Sequence, residues 1–157
     1  MTPTARYIRL SPAHLLWLVP VLALLALGCR SPHSQISDSM AAVMVENRPR
    51  EVIVAATRNV FREHAYQTLR DGPDEYVFEK PGTAMNTAVY GDLSGEQVWV
   101  RVKVNVQELN PNQTLVECDA YIIRGHSNSF FEEEQKLPKF SGGPYQELLD
   151  QIKGRLR

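Results

Sequence analysis

Five valines at every second position, Val98, Val100, Val102, Val104 and Val106, constrain this chain more than any other feature. They alternate with Trp99, Arg101, Lys103, Asn105 and Gln107. A period of two with β-branched residues on one side predicts a strand with one buried face and one wet face. Such a strand needs partners and a cover. Asn110-Pro111-Asn112 supplies a turn, and Thr114 to Arg124 alternates again, with Val116, Cys118, Ala120 and Ile122 on one side. Facing residues must point to the same side of the sheet. A three-residue loop at 110–112 therefore pairs Val104 with Cys118 and Val102 with Ala120. It also sets Lys103 opposite Asp119 on the outer face, a pairing of opposite charges. Cys118 then reads as a small buried apolar residue, with no basic neighbour to activate its thiol.

The flanking segments supply further elements. Pro49 with Glu51 in the first turn opens a helix over 49–64, with Ile53, Ala56, Val60 and His64 on one stripe and Val52 and Phe61 beside it. Tyr66–Arg70 and Glu75–Lys80 read as a hairpin around Asp71-Gly72-Pro73-Asp74, with Tyr76 and Phe78 on one face. The competing reading runs the helix on to Arg70. Residues 81–95 carry three glycines and a proline and predict an irregular connection, with a strand stub or half-turn at 87–90. Residues 125–143 read as irregular, with Glu132 to Glu134 as a solvated charge run. Pro144 opens a last helix whose Tyr145, Leu148, Leu149, Ile152 and Leu156 form an amphipathic stripe. The prediction is an α+β two-layer sandwich: an antiparallel sheet of about four strands covered by an N-terminal and a C-terminal helix.

Upstream lies a different kind of sequence. Leu15 to Cys29, LLWLVPVLALLALGC, is an apolar run preceded by Arg6 and Arg9, with no acid before Asp38. This is the pattern of a secretory signal. The segment from Leu15 to Leu27 is shorter than the roughly 20 apolar residues a membrane span needs, and Pro20 interrupts it. Ala26-Leu27-Gly28-Cys29 resembles the lipobox of bacterial lipoproteins, with Ala26 where leucine is usual. The resemblance implies cleavage between Gly28 and Cys29, a diacylglyceryl group on Cys29, and an exported protein anchored to a bacterial envelope membrane. Arg30 after the cysteine resembles the outer-membrane sorting pattern, which implies an outer membrane facing the periplasm. The expected organisation is a signal peptide at 1–28, a lipidated cysteine and flexible tether at 29–48, and one domain at 49–157. A spacer of about 19 residues reaches at most roughly 65 Å. Met40 to Val45 is an apolar patch within that tether, equally consistent with packing on the domain and with a linker.

Loss of Arg6 and Arg9 leaves 15 basic residues against 18 acidic ones, so the mature chain carries about −3 and lacks the basic excess of a nucleic-acid binder. With Cys29 acylated, Cys118 has no intrachain disulfide partner. There is no C-x-x-C, G-x-S-x-G, phosphate loop or dinucleotide fingerprint, and no histidine pair at metal-ligand spacing. No metal, cofactor or enzymatic activity is expected. Asp71, Asp74 and Glu75 read as a turn rather than a cation site. A histidine bonded to a carboxylate inside a cleft, at His64 or His126, is the arrangement that would favour catalysis. Trp99, Leu115, Tyr121 and Ile123 fall on the outer sheet face. They form a candidate apolar interaction patch, unless Phe130, Phe131 or Met40–Val45 covers it. The order of elements behind a lipobox is also similar to that of small helix-grip-like envelope lipoproteins. No residue motif is shared, so no functional residues transfer. The expected role is non-catalytic, structural or in binding an envelope protein. The alternative is a periplasmic carrier holding a lipid or other apolar ligand between sheet and helix.

Overall fold

The computed structural model describes residues 37–91, 95–126 and 132–157. The lipobox-like Ala26–Cys29, with its Gly28 and Cys29, and Phe130 and Phe131 lie outside them. The chain runs β1 (Ala41–Glu46), α1 (Arg50–Glu63), β2 (Gln67–Asp71), β3 (Glu75–Pro81), α2 (Ala84–Tyr90), β4 (Trp99–Asn110), β5 (Gln113–Arg124), β6 (Glu133–Lys136), a 3-10 turn (Lys139–Ser141) and α3 (Gly143–Arg155). The class is α+β, with an open antiparallel sheet of six strands in the order β1-β5-β4-β3-β2. β6 also pairs with β5.

The long hairpin has the register that alternation dictates. Val104 faces Cys118, Val102 faces Ala120 and Lys103 faces Asp119. The loop differs from expectation: Asn110 pairs with Gln113, and a bulge between Glu108 and Asn110 absorbs the extra residue, so the register beyond it is unchanged. The charges opposite one another do not bond to each other. Lys103 reaches Glu134 at 2.8 Å and Asp119 reaches Lys136 at 2.7 Å. A third strand competes for both partners.

That strand, β6, is one of two beyond the four expected. The other is β1, which draws Ala41–Glu46 of the expected tether at 29–48 into the sheet and settles the open reading of Met40–Val45 as packing on the domain. Ala41 to Glu46 pairs with Cys118 to Gln113 of β5. The fold reaches back further still: Ser37 donates to Glu117, and the Met40 amide donates to Asp119 Oδ1 at 2.9 Å. β1 lies along the first half of β5 and β6 along the second half. Asp119 sits where they meet, accepting from Met40 on one side and Lys136 on the other. The outer edge of β1 is closed by α3. The Ala42 amide donates to Gln146 Oε1 and the Gln146 amide donates to the Ala42 carbonyl, both at 3.2 Å. This replaces the pairing an open edge would offer a second chain. Gly142 permits the approach, because a Cβ there would lie 2.8 Å from the Met40 carbonyl oxygen.

One core joins the valine face to α1 and α3. Val98, Val102, Val104, Val106, Val116, Ala120 and Ile122 are at most 1% exposed. From α1 come Ile53, Val54, Thr57, Val60 and Phe61, and from α3 Tyr145, Leu148, Leu149 and Ile152. The α1 stripe is rotated relative to expectation: Val52 is 46% exposed, Val54 is buried and His64 is exposed. Phe61 stacks on Phe78 of β3 at 4.4 Å between ring centroids. α1 stops before Arg70 because Ala65 takes a left-handed conformation, φ 63°. The Tyr66 amide then returns to the Phe61 carbonyl and the Ala65 amide to that of Arg62, both at 3.0 Å. These two bonds are the Schellman pattern, and the Phe61–Tyr66 ring contact at 5.2 Å is its hydrophobic accompaniment. The segment expected to be irregular holds α2, started by Thr83, whose hydroxyl accepts from the Asn86 amide while the Asn86 side chain accepts from Thr83 N–H.

Candidate functional site

Two places on the domain concentrate chemistry, one on each face of the sheet. The outer face centres on Glu79, which β3 places opposite Arg101 of β4. Glu79 is 4% exposed and bonds to the Arg101 guanidinium. Arg101 also contacts Glu132 at 2.8 Å and Glu134 at 4.0 Å. Burial lowers the guanidinium pKa, and Glu132 and Glu79 together outweigh it and hold the value above the ordinary one. His126 Nε2 lies 3.1 Å from the second Glu79 oxygen, and the imidazole stacks on Trp99 at 4.0 Å. Lys103 sits over the Tyr121 ring at 4.4 Å.

This arrangement changes the reading of the four outer-face residues. Ile123 is fully buried and Leu115 is 6% exposed, so neither offers open surface to a partner. Trp99 and Tyr121 are half-buried and carry His126 and Lys103 on their rings. The four do not make a continuous apolar patch. The outer face is charged and cross-braced.

His126 is the histidine bonded to a carboxylate that a catalytic reading requires. Among the described residues no serine, threonine or cysteine bonds to the imidazole, and Glu79 is already engaged by Arg101. His64 bonds to Gln151 Oε1 at 3.0 Å, not to a carboxylate. Cys118 is buried on the inner face, and desolvation pushes its thiol pKa well above the ordinary range. Among the described residues no three His, Cys, Asp or Glu side chains converge as metal ligands.

The second place is a half-open cleft of about 330 Å³ on the helix side of the sheet. Its floor is Val100, Leu148 and the rings of Tyr66 and Tyr145, and its rim holds His64, Glu147, Gln151, Thr83 and Asn86. The left-handed turn at Ala65 aims Tyr66 into this seam. Burial pushes the Tyr145 phenol up to about 12 and the Tyr66 phenol higher still. Lys80 enters from β3, with Nζ 4.2 Å from the centre of the Tyr66 ring and 3.4 Å from the His64 carbonyl oxygen. Burial lowers its pKa. Val98 and Val102, on either side of Val100 on this face, are closed, and this cleft is where the sheet's inner face opens beside α3.

The sequence singled out His126, Trp99 and Tyr121, but not the Glu79–Arg101 pair or the meeting of Tyr66, Lys80 and Tyr145. Glu79 and Arg101 become partners only once β3 is paired with β4. Tyr66, Lys80 and Tyr145 come from three elements separated by up to 79 positions, which no local pattern connects. The alternation of Glu75 to Lys80 did hold one usable signal: it puts Glu79 on the opposite face from Tyr76 and Phe78. No protein-family model matches this chain, and no curated protein matches it.

Proposed function

We propose that this chain is a bacterial envelope lipoprotein, anchored through Cys29 and carrying one small α+β domain with a binding or structural role rather than a catalytic one. In this reading α1 and α3 form one layer and the sheet the other, a two-layer sandwich. The supporting observation is the Leu15–Cys29 run with its lipobox-like end, followed closely by the domain. The position of β1 alters what the anchor does. Ser37 is bonded to Glu117 of β5, so the seven residues between Cys29 and Ser37 can span at most roughly 25 Å. A domain on so short a lead stays beside the bilayer and meets partners embedded in or lying on that membrane. Replacing Cys29 by serine is expected to release the protein from membranes or to block its processing. Continued membrane fractionation at the mature mass contradicts the anchor.

The cleft at Val100 favours a second reading, a carrier for a ligand with an apolar part. Its volume of about 330 Å³ lies at the lower end of the roughly 300–1,000 Å³ typical of small-molecule sites. That size suits a short chain, not a whole lipid.

A further inference from the structure

The cleft carries an inference that rests on the carrier reading and names its ligand class. Elsewhere on the domain, half-buried cations meet carboxylates: Arg101 meets Glu79 and Glu132, Lys103 meets Glu134, and Arg124 meets Glu133. Lys80 does not. Among the described residues its partners are the Tyr66 ring and the His64 carbonyl oxygen, and no carboxylate lies within ion-pair distance. A partly desolvated ammonium without a counter-ion is an unfavourable arrangement that an incoming anion relieves. Beside it, Val100, Leu148, Tyr66 and Tyr145 offer apolar surface that is itself only 4–8% exposed. The site therefore joins one positive charge to a narrow hydrocarbon-lined recess.

We propose that this cleft binds a short-chain monocarboxylate, its carboxylate ion-paired with Lys80 Nζ and its hydrocarbon laid against Val100 and Leu148. Glu147, on the exposed rim, is the other formal charge lining the cleft, beside the titratable imidazole of His64. It disfavours a second negative charge on the ligand and confines the single one to the Lys80 side.

The test uses hexanoate, hexanol and hexylamine, which share a chain and differ in head group. Each is titrated into the full-length protein in nanodiscs while the methyl signals of Val100 and Leu148 are followed by NMR. Hexanoate is expected to bind about tenfold more tightly than hexanol, with hexylamine weakest. Lys80→Met, which keeps the length of the stem, is expected to erase the difference between hexanoate and hexanol. Glu147→Gln is expected to tighten hexanoate a few-fold. Equal binding of hexanoate and hexanol overturns the charge assignment while leaving the cleft a carrier site. So does a hexanoate preference that survives Lys80→Met. If none of the three shifts those methyl signals, the carrier reading falls as well. Should Lys80→Met lose its native spectrum, Glu147→Gln decides, and weaker hexanoate binding in that variant overturns the proposal.

Discussion

The two faces of this sheet are built from the same strands and obey different physics. On the inner face, away from the Lys80 cleft, packing is mostly apolar side chain against apolar side chain, and position is set by volume. On the outer face, β4 and β6 meet through Arg101, Lys103, Glu132 and Glu134, and position is set by charge. Burying a valine, leucine or phenylalanine contributes roughly 1.5–3 kcal/mol. An exposed ion pair contributes about 0–1 kcal/mol. The inner face therefore holds the fold, and the outer face chooses which strands lie next to one another. Glu79 is the exception, a carboxylate on the charged face but buried like a core residue.

The largest effect expected is from Val102→Asp. It places a carboxylate where the side chain is fully buried, and the loss should exceed about 4 kcal/mol. A native-like thermal melt of that variant would break the distinction between the faces. Next comes Glu79→Ala. It leaves Arg101 with Glu132 but removes the buried counter-ion and the partner of His126, for a cost of about 2–4 kcal/mol in urea unfolding. A cost under about 1 kcal/mol would place Glu79 with the ordinary surface pairs.

The inner face also sets a pH response. The Cys118 thiol and the Tyr66 and Tyr145 phenols have folded-state pKa values raised by burial above their ordinary 9.0 and 10.0. Raised groups contribute stability that is fully present below the ordinary value and declines as pH climbs towards the folded one. Stability should therefore fall steadily from about pH 9 upward. Cys118 should stay inert to alkylating reagents at pH 8 until the domain unfolds. Alkylation of the native protein at the rate of a free thiol would contradict its burial. Smallest is Lys103→Ala, whose pair with Glu134 is partly solvated and which should cost at most about 1 kcal/mol.

This contrast also explains what the chain makes legible before it folds. Hydrophobic alternation is local, so β4, β5, their register and the stripe of α3 follow from the residues themselves. β1 did not, because six residues of mostly apolar sequence behind a polar stretch suit a linker as well as a strand. Its partner is more than 60 positions away. β6 is hidden for the opposite reason. Glu-Glu-Gln-Lys has no apolar face, and its pairing with β5 is supported by Arg101, Lys103 and Asp119 on neighbouring strands. α2 announced itself only through the Thr83–Asn86 capping box, between glycines that argue against a helix. The expected outer patch failed at Ile123 and Leu115 because alternation assigns a face but does not say whether that face is covered. Lys80 was invisible as a site residue because its lack of a carboxylate partner among the described residues is a property of several folded segments together.

The proposed reading holds this domain at a membrane through Cys29. The most direct test is the mass of the N-terminal peptide of the protein purified from bacterial membranes. The expected peptide begins at Cys29 and carries a diacylglyceryl group. A peptide that begins upstream of Cys29, or a Cys29 with a free thiol, would contradict it.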